Sequence, residues 1–173
     1  MTGPGSADGD VSGARSVGSP RSMEYQGHGG TPFGNHSSAD GVLDEVIELR
    51  LPAKAEHIPL VRMLTHGVVA RADFGLDSIA DAKMAVDEAC AQLVQLADLG
   101  AELCCRFRPT HDGLVVSIST RTSQNHAPSE RTFGWHVLTT LTDSVAAHYD
   151  ALPGEPAGMT TIDLVLRARS DAG

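Results

Sequence analysis

Positive charge is scarce in this chain: 13 Lys and Arg stand against 22 Asp and Glu, a formal net charge of −9 over 173 residues. That balance argues against a protein that tracks nucleic-acid phosphates directly. It favours solubility and partners that carry basic patches. No apolar run is long enough to span a bilayer, so no membrane role is expected. The N-terminus has no basic start followed by an apolar stretch, so a secretory signal is not expected and the chain reads as cytoplasmic. Cysteine is sparse and odd in number: Cys90, Cys104 and Cys105 form no CxxC spacing, and no His stands at a matching interval. Cys104 and Cys105 are neighbours on a strand and point to opposite faces. Buried, reduced thiols are therefore expected, and no structural metal site.

Order along the chain is unequal. Residues 1–41 are crowded with Gly, Ser, Asp and Pro, and their few apolar residues show no period. Such a segment buries too little apolar surface to offset the entropy of ordering it, and a disordered tail is expected. Regular patterning begins at Glu45. Ile47, Leu49 and Leu51 alternate with Glu48 and Arg50, the signature of a half-buried strand. Pro52 ends it, and Lys54 to about Ala72 reads as a first helix with Pro59 near its start. A second helix, capped by Asp77 or Ser78, is expected to run to Leu99 and stop at Gly100.

Two strands follow, with Leu103, Cys105 and Phe107 facing one way and then Leu114, Val116 and Ile118. The segment Pro109-Thr110-His111-Asp112-Gly113 between them predicts a hairpin with a slightly extended loop. After the polar stretch from Arg121 to Thr132, the spacing of Val137, Leu138, Leu141 and Val145 predicts a third helix from Gly134 to about His148. A last strand is expected over Met159 to Ala168, with Ile162, Leu164 and Leu166 inward. Strands apolar on one face only imply a mostly antiparallel sheet with helices on one side, an α+β two-layer sandwich over residues 45–169.

The second helix carries the chemistry. Ile79, Ala82, Val86, Ala89, Leu93 and Leu96 form its apolar stripe. Glu88 and Gln92 lie outside that stripe, one turn apart and side by side. A carboxylate beside an amide oxygen can activate a hydroxyl and help hold a metal–phosphate group. Asp87 is adjacent in sequence, does not share that face, and reads as a solvated position. Trp135 reads as core or lid packing, and His57 and His66 as polar positions on the first helix.

This order of elements, with AVDEACAQLVQLA on the second helix and FGWHVLTTLTDSV after the polar loop, resembles one family. It is similar to the anti-sigma factors that are also serine-protein kinases, within the histidine-kinase-like, gyrase-type ATPases. The first segment resembles the E-x-x-x-N box. The second resembles the helix after the family's lid, with Gly134, Leu138, Leu141, Asp143 and Val145 at corresponding places.

The resemblance implies a chain that sequesters an alternative sigma factor, is released by an anti-anti-sigma partner, and forms a homodimer. It implies ATP and magnesium as cofactors. Glu88 would be the acid–base carboxylate. Gln92, one methylene longer than the usual Asn, would be the nucleotide-binding and magnesium-holding residue. Gly134 would lie where backbone approaches the phosphates, and Arg62 where the first helix carries a partner-contacting arginine. The family's Asp-x-Gly-x-Gly, whose Asp reads the adenine amino group, is Arg121-Thr122-Ser123-Gln124-Asn125 here. Asn125 or Ser123 is the candidate substitute. The alternatives are a degenerate ATPase-like binding module without catalysis, or an unrelated two-layer α+β domain.

Overall fold

A computed structural model of the chain describes residues 45–72 and 74–168. The expected tail over residues 1–41, and residue 169, lie outside the described residues. Strand β1 (Ile47–Pro52) leads through a 3-10 turn (Ala55–His57) into helix α1 (Ile58–Arg71). Helix α2 (Leu76–Leu96), strands β2 (Glu102–Thr110) and β3 (Gly113–Thr122), and helix α3 (Phe133–Leu141) follow. Strands β4 (Ser144–Ala151) and β5 (Gly158–Arg167) complete the fold.

The five strands form one sheet in the order β1-β2-β3-β5-β4. Every neighbouring pair is antiparallel. Leu103, Cys105, Phe107, Leu114, Val116, Ile118, Ile162, Leu164 and Leu166 project from the sheet into a core shared with the helices. From α2 that core takes Ala82, Ala85, Val86, Ala89, Cys90 and Leu93, all fully buried. The small residues on this stripe let the helix lie close to the sheet. The opposite sheet face carries Glu48, Arg50 and Arg106; Glu48 pairs with Arg50 within β1 and with Arg106 across to β2. Cys104 is nonetheless buried on that face, opposite Arg50 in the register. All three thiols are buried and free.

Several details differ from the sequence expectations, beginning with the first helix, which starts at Ile58 after a 3-10 turn rather than at Lys54. Gly75, in an extended conformation and without a side-chain cap bond, precedes α2, rather than Asp77 or Ser78 capping it. That helix ends at Leu96, because Ala97 turns extended, instead of reaching Leu99 and Gly100. The β2–β3 loop is the two residues His111 and Asp112, since Thr110 and Gly113 already pair. Gly113 is needed because a Cβ there would run into the Leu166 carbonyl oxygen on β5.

The largest difference is at the third helix, which stops at Leu141 rather than His148. Thr142 goes extended, its backbone N–H and hydroxyl both bonded to the Leu138 carbonyl. Asp143 then donates its N–H to the Val165 carbonyl and accepts the Arg167 N–H. The chain is thereby committed to a strand along β5. Val145 belongs to β4, not to the helix.

Candidate active site

Helix α2 lies between α1 and α3 and contacts both. Glu88 and Gln92 project from α2 beside the first turn of α3. Gln92 Nε2 donates to Glu88 Oε1 at 2.9 Å, a part-buried bond one turn long. The orientation of the amide follows from its partner: only the nitrogen end can donate to a carboxylate.

Gly134 closes this unit from the α3 side. A Cβ there would overlap Glu88 Oε1 and come within 2.7 Å of Gln92 Nε2. The absence of a side chain at Gly134 is therefore what lets the carboxylate and amide pack over its Cα; any larger residue would have to push these two side-chain ends aside. Helix α3 is held in place from both ends of its first turn. Thr132 is its N-cap, accepting from the Trp135 N–H at 3.1 Å and donating to the Ser129 carbonyl at 3.1 Å. Trp135 and Leu138 are buried in the core, so the indole anchors the helix rather than offering a stacking surface.

A cavity of about 290 Å³ opens beside this unit, lined by Glu88, Gln92 and Gln95 of α2 and by His126, Ser129, Thr132 and Gly134. Its volume sits near the lower end of small-molecule sites, roughly 300–1,000 Å³. Gln95, His126, Ser129 and Thr132 escaped the sequence reading. Gln95 carried a usable signal, standing seven residues from Glu88 and three from Gln92 on the same helical face. The three loop residues carried none, because a polar loop has no period.

A second hollow, about 390 Å³ and more open, lies between α1 and α3 with α2 as its floor. Ile58 and Arg62 form one wall, Val137 the other, and Met84, Asp87, Glu88 and Ala91 the floor. Glu88 is the residue common to the lining of the two hollows. One carboxylate thus faces a polar cavity on one side and a partly apolar groove on the other.

Arg62 is half exposed, and its Nε donates to Asp87 Oδ2 at 2.5 Å. Asp87 is not the solvated residue expected from sequence: its side chain is 22% exposed, and Oδ1 is buried with no partner among the described residues. Burial pushes the Asp87 carboxyl above its ordinary value, against the opposing pull of Arg62 and of Lys83. His57 and His66 lie on the α1 side, partly and largely exposed.

The exit of β3 takes its shape from other contacts. Asp98 Oδ1 accepts both the Ser123 N–H at 2.9 Å and the Ser123 hydroxyl at 2.8 Å. Asn125 adopts a left-handed φ of 38°, and its side-chain oxygen accepts from the Tyr149 hydroxyl at 2.7 Å. Glu88, Gln92 and Gly134 therefore converge. Asn125 is directed to Tyr149 and does not line the cavity, and Arg62 stands apart on the groove. Among the described residues, no group of three or more His, Cys, Asp or Glu is placed to hold a metal. No helix among them is long and apolar enough to cross a membrane.

Residues 51–164 match the family model of the histidine kinase-like ATPase domain. The chain is 32% identical over 126 residues to the anti-sigma-F factor RsbW of Mycobacterium tuberculosis (strain CDC 1551 / Oshkosh), covering 73% of this chain and 74% of that protein. It is 45% identical over 78 residues to the serine-protein kinase RsbW of Bacillus cereus (strain ATCC 10987 / NRS 248), covering 43% of this chain and 48% of that relative. In fold it is similar to the crystal structure of the RsbU and RsbW domains of Rv1364c from Mycobacterium tuberculosis. The TM-score is 0.50 at 17% identity, over 72% of this chain and 33% of that one. The chain belongs to the histidine kinase-like ATPase family and, within it, to the RsbW group.

Proposed function

We propose that this chain is an anti-sigma factor that binds ATP and acts as a serine-protein kinase on an anti-anti-sigma partner. The observation that carries the reading is the position of Glu88, where the polar cavity and the α1–α3 groove meet. Phosphoryl transfer needs a donor and an acceptor in line, held by positioning and charge neutralisation. A nucleotide in the cavity and a serine entering along the groove would meet at this carboxylate. Glu88 takes the hydroxyl proton as the serine oxygen bonds to the γ-phosphorus. The bond from that phosphorus to the bridging oxygen breaks, and ADP leaves with the electron pair.

Magnesium bound with the nucleotide would neutralise phosphate charge. It commonly takes one or two protein oxygens and fills its sphere with phosphate and water. The amide oxygen of Gln92, which is not used in the bond to Glu88, would suit that role and leave the Glu88 carboxylate free to act as base. The first turn of α3 at Gly134 offers backbone N–H groups to phosphate. Arg62, half exposed at the groove wall, would meet the protein partners, and the working form would be a homodimer in the cytoplasm.

A second reading, a sequestering module with weakened nucleotide chemistry, is favoured by the exit of β3. No acid stands between Arg121 and Asn125, and Asn125 is bonded to Tyr149. Both readings are tested by magnesium-dependent transfer of the ATP γ-phosphoryl to a purified anti-anti-sigma protein. Transfer that disappears in Glu88→Ala while sigma-factor binding persists supports the kinase. Sigma-factor binding with no transfer by the unaltered chain supports the second reading, and transfer persisting in Glu88→Ala removes Glu88 from the mechanism. Arg62→Ala should weaken affinity for at least one partner; unchanged affinity for both ends its assignment.

A further inference from the structure

We infer that Gln92 is a positioning residue for Glu88, its amide N–H fixing the carboxylate against the first turn of α3. The inference rests on the proposed role of Glu88 and goes beyond it. The Gln92 side chain is long enough to bring its amide nitrogen to 2.9 Å from Glu88 Oε1, one turn back on the same helix.

Three observations support this. The bond joins residues four apart on one helix, so it forms without any movement of the backbone. It is part-buried, where a donor to a carboxylate is worth more than in water. Both partners are packed against the Cα of Gly134, which leaves the carboxylate little freedom to turn away. Glutamate alone has three rotatable bonds. The amide and the glycine together select one setting of its carboxylate, at the junction of cavity and groove. With the nitrogen end committed to Glu88, the oxygen end is directed elsewhere. One amide thus sets the base and leaves a single oxygen for other use.

Donor and ligand roles separate by substitution. Gln92→Lys keeps a hydrogen-bond donor and removes the amide oxygen. Gln92→Glu keeps an oxygen and removes the donor. The positioning role predicts that transfer at saturating magnesium-ATP falls roughly a hundredfold in Gln92→Glu, the scale of a misplaced reacting group. Gln92→Lys should retain markedly more of the rate. The opposite order, with Gln92→Glu active and Gln92→Lys inactive, overturns the inference, because Gln92 would then act through its oxygen alone and not by positioning Glu88.

A ligand-free measurement stands beside it. In amide NMR spectra of the full chain, the Gln92 side-chain NH₂ pair should lie away from the position of the exposed Gln124 pair and move towards it in Glu88→Ala. A Gln92 NH₂ pair that coincides with that of Gln124 and does not move in Glu88→Ala overturns the inference. Failure of the unaltered chain to bind ATP would remove the kinase reading, and the NMR result would still decide the Gln92–Glu88 bond.

Discussion

Arg62 and Asp87 form a 2.5 Å ion pair that ties α1 to α2, and the second oxygen of that carboxylate is buried without a hydrogen-bond partner among the described residues. A carboxylate half satisfied in this way depends on its one cation. Arg62→Ala should therefore destabilise the domain by about 1 kcal/mol, the pair being part exposed and screened. The double variant Arg62→Ala/Asp87→Asn should recover most of that loss in urea titrations. The pH dependence has a definite sign. Asp87 is raised above 3.8 in the folded chain, so the native state holds this proton more tightly than the unfolded one. Its ionisation costs stability as pH rises from the unfolded value through the folded one, and the penalty persists above. Asp87→Asn should remove that part of the profile. A flat profile in the parent chain across this window would contradict the account.

Gly134→Ala separates fold from site. In a helix, Ala is ordinarily favoured over Gly by about 1 kcal/mol. The new methyl would displace the ends of two flexible side chains, Glu88 and Gln92, rather than backbone. Thermal stability should therefore change by less than about 1 kcal/mol, while the Gln92–Glu88 bond is lost and phosphoryl transfer collapses. Calorimetric unfolding and a transfer assay on the same preparation check both halves. A large loss of stability would mean that the glycine serves the backbone instead.

Glu48 contributes on the far face of the sheet. Hydrogen bonds from Arg50 and Arg106 hold its carboxyl below 4.5. A depressed acid stabilises the fold above its unfolded value, and that contribution is lost as pH falls through the folded one. The pair is exposed, so the amount is about 0.5 kcal/mol. Glu48→Gln should flatten this part of the acid limb of a stability–pH curve, and an unchanged limb would contradict it.

The legible parts of the molecule were those in which one residue decides its own environment. The alternations in β1, β2, β3 and β5 told inside from outside because one sheet face is covered and the other is not. Glu88 and Gln92 were readable as neighbours from helical spacing, and Gly134 from the resemblance of its segment. The β4 strand was not readable. Val137, Leu138, Leu141 and Val145 keep a helical spacing across Thr142, while the alanines of β4 are weak strand formers. What stops the helix is non-local, the pairing of Asp143 with Val165 and Arg167 of β5. Asp87 was misjudged for a similar reason: its partner stands 25 residues away, on another helix. Asn125 was a candidate by position alone, and its bond to Tyr149 lies in a strand the sequence did not reveal.

Isothermal calorimetry of the full chain with ATP, in magnesium and in its absence, tests most directly the claim that the cavity between α2 and α3 is a nucleotide site. The account predicts saturable binding that strengthens with magnesium in the unaltered chain. It also predicts a weaker magnesium effect in Gln92→Met. No detectable binding at millimolar ATP, or binding indifferent to magnesium and to that substitution, would contradict it.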